Sequence, residues 1–246
     1  MISIICSEVI KLKKSFILLL VFVAGLAIPV IYTFSNLNID YDILRKSTSA
    51  IDILSNINVM QIQFLNTVVF SIIGGYIFSR EYSNNTMNVL YSYPISRAKI
   101  FIAKAVVVFL LIVLVYALNL LGTLLTIGIL FGVDEVKNIF YIQLKTCSIS
   151  AFTQVIIIPI PMLIGMVSRN IIIAVIYGVM GGVTSMFLVL TEVWMQLSPF
   201  MIPVLPFYHF FRGDPIDYVA VILSGGITFF GSITGIIFYL KKCDIN

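Results

Sequence analysis

Six apolar runs, each about 20 residues long and almost free of charge, restrict this chain more than any other feature. They lie near Phe16–Ser35, Ile57–Phe78, Ala105–Leu130, Cys147–Val167, Ile171–Thr191 and Tyr218–Leu240. At 1.5 Å per helical residue each can cross a hydrocarbon layer about 30 Å thick. Membrane strands need only about 9–11 residues with strict alternation, and no such pattern occurs here. Composition agrees, because 11% of the residues are charged where soluble domains have about 25%.

An even number of spans puts both termini on one side. Lys11, Lys13, Lys14, Arg80, Arg97, Lys99, Lys104, Arg169, Lys241 and Lys242 fall on the side of the termini, ten cations against five elsewhere. The positive-inside rule therefore predicts cytoplasmic termini. Lys11, Lys13 and Lys14 before the first run resemble the start of a signal peptide, but that run is too long and lacks a small-residue cleavage site, so an uncleaved span is expected. The net charge of +4 then reflects topology rather than nucleic-acid binding, and three scattered cysteines define neither a disulfide framework nor a metal site.

In the opening segment, residues 1–15, Ile2, Ile5, Val9 and Leu12 recur at intervals of three and four, followed by Phe16. Ser7, Glu8, Lys11 and Lys14 take the other face, which predicts an amphipathic interfacial helix; an inward extension of the first span is the alternative. Asn36 to Asn56 reads as an external loop with one helical turn. Glu192 to Asp217 is rich in aromatic residues and broken by Pro199, Pro203, Pro206 and Pro215. It reads as half-helices re-entering the outer leaflet, with Trp194 and Phe207 near the interface; an ordinary aromatic belt explains the same residues. Pro159 and Pro161 should bend the fourth span, while Gly178/Gly182 and Gly231/Gly235 allow close helix contact.

No ionisable side chain lies inside the six runs, which argues against ion coupling or a proton relay. Asn66, Gln61, Gln63 and Asn119 are the strongest polar groups there. Hydrogen bonds between helices account for such residues, and Asn66 and Asn119, with Trp194 and Phe207, are the candidate cargo path. His209 has no obvious catalytic partner, and no Gly precedes a Lys, so a Walker A loop is absent. Uphill movement would need energy from another chain.

Attention then falls on the cytoplasmic segment "SREYSNNTMNVLYSYPISRAKIFIAK". Ser83 to Thr86 are good N-caps, Met87 to Tyr93 can form about two helical turns, and Pro94 stops them. Met87, Leu90, Tyr91 and Tyr93 give this short helix a side suited either to a partner's groove or to the lipid interface.

The same run resembles the cytoplasmic loop of type-2 ABC exporter permeases, with Glu81, Asn85-Thr86, Val89-Leu90, Pro94-Ile95-Ser96-Arg97 and Lys104 in the family's order. "SEVIKLKKS", Ser7 to Ser15, resembles the lantibiotic and bacitracin-type branch. Asn85 stands where Gly is usual, and Asn tolerates a left-handed backbone best among other residues.

The resemblance implies an all-α membrane protein forming one domain over residues 1–246: six transmembrane helices, an interfacial N-terminal helix, a coupling helix between spans 2 and 3, and a re-entrant segment before span 6. It implies coupling to an ATPase through Glu81, Asn85, Thr86, Met87, Leu90, Tyr91, Pro94 and Arg97. The chain itself would hold no cofactor; ATP and Mg would sit in two separate ABC ATPase subunits, beside a second copy of the permease or a sister permease. The branch suggests export of antimicrobial or other amphipathic peptides across a bacterial plasma membrane, for self-protection or resistance. Export of drugs or lipids, or a non-transporting scaffold or sensor, would use similar features. Membrane lipids are expected neighbours and nucleic acid is not a partner.

Overall fold

The computed structural model describes residues 1–13, 15–37, 48–84, 86 and 96–242, with the side chains of Glu192 and Lys242 left aside. Every regular element among these is helical. The long elements are α1 (Ile2–Lys13), α2 (Ile17–Asn36), α3 (Ala50–Asn58), α4 (Asn66–Ser83), α5 (Arg97–Phe131), α6 (Val133–Ile157), α7 (Pro159–Ser168) and α8 (Ile171–Leu188). A short α9 (Glu192–Leu197) and three helical turns lead to α10 (Tyr218–Lys242).

Six helices are long and apolar enough to cross a membrane. Several outrun the apolar stretches that mark them. A π-helical turn, Val59–Leu65, joins α3 to α4, making one path of 34 residues from Ala50 to Ser83. α5 has 35 residues, roughly 50 Å at the helical rise. α6 begins at Val133, well before Cys147, because hydropathy marks the segment in hydrocarbon and not the polar turns that continue the same helix. Similarly, Ala50–Asn58 is a nine-residue helix that begins inside the stretch expected to be a loop with one helical turn and runs into the second span. A capping box starts it: the Ser49 hydroxyl accepts from the Asp52 N–H, and the Asp52 carboxylate accepts from the Ser49 N–H.

Local chemistry sets the corners. Gly132, at φ 94°, turns α5 into α6. Pro159 lies at the start of α7, so the α6–α7 path breaks at Ile158, where the prolines cannot continue the donor ladder. Arg169, at φ 54°, ends α7 in the left-handed region, and the Asn170 side chain caps α8 by accepting from Ile172 N–H at 2.9 Å.

α4 is central, packed against α7 and α8, while α2 lies along α5 and α5 along α6. Glycines permit these approaches: a Cβ on Gly165 would meet the Gly75 carbonyl oxygen at 2.6 Å, and one on Gly178 would meet Ser71 Cβ at 2.6 Å. Gly182 faces the Phe64 ring, so the first GxxxG pair packs within the chain. The second divides, with Gly235 against Leu163 and Gly231 facing open space. α10 is peripheral; Ile222, Ile227 and Phe230 on it are exposed, while Ile236 is buried.

One end of the bundle gathers α1, the last turn of α10, the start of α5 and the α7–α8 corner. There, Arg97 Nη1 donates to Leu240 O at 3.3 Å, and the Tyr239 hydroxyl donates to Met166 O at 2.9 Å. The other end holds the α5–α6 corner and the segment 189–217. In that segment Met195 and every residue from Met201 to Tyr208 are buried.

Candidate functional site

At the end that holds α1, five charged side chains from three helices meet. Glu8 and Lys11 come from α1, Arg80 and Glu81 from the last turn of α4, and Lys104 from the second turn of α5. Lys11 Nζ lies 2.7 Å from Glu8 Oε1 and 3.1 Å from Glu81 Oε1. Lys104 Nζ lies 3.0 Å from Glu81 Oε1 and 3.4 Å from Glu8 Oε2, and donates to Ile77 O at 3.1 Å. Its three hydrogens thus match three acceptors. Arg80 Nη2 stands 3.4 Å from Glu8 and 3.6 Å from Glu81.

Glu8, Glu81 and Lys104 are each 3–4% exposed. Buried charges persist only when paired and hydrogen-bonded, and here two carboxylates sit among three cations. Burial alone would lower the pKa of the half-buried Lys11 ammonium, but Glu8 and Glu81 beside it carry it above the ordinary value. The cluster fastens α1 across the α4 and α5 ends that bracket residues 84–96. Tyr76 adds a second fastening: its hydroxyl accepts from Ser15 Oγ at 3.2 Å and its ring meets Phe16 edge-on at 5.3 Å.

Of the expected coupling residues, Glu81 is at the centre of this cluster. Thr86 donates its hydroxyl to Glu81 Oε2 at 2.8 Å and its N–H to Glu81 O at 3.0 Å, folding the chain back onto α4 as it leaves. Arg97 starts α5, and its Nη1 donates to the α10 carbonyl of Leu240. Asn85, Met87, Leu90, Tyr91 and Pro94 lie outside the described residues. Sequence reasoning assigned Glu8 and Lys11 to the polar face of α1 without a partner. In the structure Glu8 turns to the bundle together with Ile5 and Leu12 of the apolar face, while Ser7, Ile2, Val9 and Ile10 are exposed.

A second constellation is uncharged. On α5, Tyr116, Asn119, Thr123 and Thr126 follow one another at three, four and three residues, so they share a helix face. They belong to a polar seam shared with α2, the π turn and α6. Asn58 and Gln143 exchange reciprocal amide bonds at 2.8 and 3.0 Å. Gln61 Nε2 donates to Ala24 O at 2.6 Å and to Asn66 Oδ1 at 2.9 Å, and Cys147 Sγ donates to Asn119 Oδ1 at 3.7 Å. Gln61 Oε1, Asn66 Nδ2, Tyr116 Oη and Asn119 Nδ2 are buried without a hydrogen-bond partner among the described residues. A separate strut joins Gln63 Nε2 to Ser185 O at 2.7 Å and the Tyr208 hydroxyl to Gln63 Oε1 at 3.2 Å.

The structure therefore places the candidate cargo residues Asn66 and Asn119 in the same buried seam. Trp194 is elsewhere, 62% exposed on α9, and Phe207 is fully buried between the rings of Tyr208 and Phe211. Phe207 offers no surface to a ligand in this state. Asn58, at the edge of the second apolar run, and Gln143, before the fourth, are not singled out by sequence, because an amide at the end of a run looks the same whether it meets water or another amide.

These features define a multi-pass helical membrane protein with a charged clamp at one end and an uncharged polar interior. A family profile described as ABC-2 family transporter protein matches residues 4–185, and the chain belongs to that family. Its members are membrane-spanning permease components of ABC transporters, generally non-catalytic, and the family implies an ABC ATPase partner. The match includes both the charged clamp and the polar seam. No curated protein and no solved structure matches the chain.

Proposed function

We infer that this chain is the transmembrane subunit of an ATP-driven exporter that moves antimicrobial or other amphipathic peptides out of a bacterial membrane. Its termini face the cytoplasm, α1 lies at the inner interface with Ile2, Val9 and Ile10 toward lipid, and residues 192–217 re-enter the outer leaflet. Two ABC ATPase subunits dock on residues 84–93 of a permease dimer. The branch resemblance of residues 7–15 supports the peptide cargo, and Asn66 and Asn119 in the polar seam are its candidate contacts.

The observation that carries the coupling role is the Glu8–Lys11–Arg80–Glu81–Lys104 clamp. A loop rooted in such a clamp transmits displacement to α1, α4 and α5 together. ATPase closure can bias the membrane helices only through contacts that differ between its two states. Co-expression with the candidate ATPase tests this: the ATPase should copurify, and Leu90→Asp should abolish both its stimulation by the permease and peptide tolerance of cells. Unchanged stimulation and tolerance in a folded Leu90→Asp variant would overturn the reading.

A further inference from the structure

Between the end of α8 and the start of α10, where two apolar helices reach one end of the bundle, lies a cavity of about 250 Å³. Arg212 and Asp214 both line it, yet they form no ion pair with each other. Gly213 between them is left-handed, at φ 75°. Each is held by a different neighbour. The Arg212 guanidinium rests over the Tyr208 ring, 5.0 Å from its centre, and Tyr208 is itself tied to Gln63. His209 Nδ1 donates to the Asp214 carbonyl at 3.0 Å, since a carbonyl oxygen only accepts.

The cavity wall is preformed. Gln196 Nε2 donates to Pro215 O at 3.1 Å while its Oε1 accepts from Asp217 N–H, joining α9 to the residues before α10. Val189, Leu205 and Ile216 add apolar lining. Leu190 and Val193, just past α8, and Val219 and Ile222, at the start of α10, are 67–82% exposed and offer acyl chains an apolar lane.

We propose that this cavity is a head-group site for a membrane phospholipid carrying a phosphate and a primary ammonium, with Arg212 binding the phosphate and Asp214 the ammonium. A separated guanidinium and carboxylate are complementary to a zwitterion, and the planar fork of Arg suits phosphate oxygens. Drug-sized ligands need about 300–1,000 Å³, so this volume holds a head group and leaves the acyl chains along the exposed lane. The site stands apart from the proposed ATPase coupling and does not depend on it.

Native mass spectrometry of the full chain, released from vesicles of equal phosphatidylethanolamine and phosphatidylglycerol, tests the assignment. The wild type should retain phosphatidylethanolamine in preference. Arg212→Gln should lose retention of both lipids about tenfold, and Arg212→Lys should fall between, with thermal unfolding checking the fold of each. Asp214→Asn should keep a bound lipid but lose the preference for the ammonium head, while Lys137→Gln, at an exposed position of α6, should match the wild type. Retention by Arg212→Gln equal to the wild type, or an unchanged preference in Asp214→Asn, overturns the site. Displacement of the lipid by equimolar free phosphoethanolamine would overturn the lipid source in favour of a soluble zwitterion.

Discussion

Lys104 and Lys11 touch the same two carboxylates but differ in burial, their side chains being 4% and 38% exposed. Removing one partner from a buried ionic group costs about 3–5 kcal/mol, whereas a partly exposed pair contributes about 0–1 kcal/mol. Lys104→Met should therefore lower the thermal midpoint in detergent far more than Lys11→Met, and equal losses would show that the clamp is solvated. The sequence exposes part of this site. Glu81 and Lys104 were legible from the loop pattern, and Asn66 and Asn119 from being amides in apolar runs. Glu8 was not, because a carboxylate on an amphipathic helix looks the same whether it meets water or Arg80 and Lys104, and only tertiary packing separates the two.

Element boundaries show a related limit. Hydropathy located all six spans, but α5 starts at Arg97 and α6 at Val133, because helix persists wherever backbone bonding does while apolar character stops at the membrane edge. Gln143 accordingly lies between the apolar runs, yet it is one half of a buried amide pair with Asn58. Packing between elements rests on close glycine contacts at defined positions. Gly165→Val would force a side chain into the Gly75 backbone and should separate α7 from α4, whereas Gly226, with open space around its added carbon, should accept Ala with little change. Detergent melting curves of the two variants check this: loss at Gly226 comparable to that at Gly165 would contradict the packing described.

Across the whole molecule, the two ends differ in chemistry, one bearing the ionic clamp and the other the folded-back aromatic segment. The proposed orientation gives a direct test, because Cys6 is exposed at the first end and Val193 is 68% exposed at the second. In intact cells a membrane-impermeant thiol reagent should label Val193→Cys and reach Cys6 only after permeabilisation; the reverse pattern would invert the topology. Running between these ends, the path from Ala50 to Ser83 contains the π turn at Val59–Leu65. Such a turn carries a surplus residue, and at 3.6 residues per turn one residue amounts to about 100° of rotation. The turn is thus a phase shift in an otherwise continuous rod: it lets Asn58 meet α6 while Gly74 and Gly75 meet α7 and α8. Taking up or releasing that surplus residue would rotate one half of the rod against the other without breaking it.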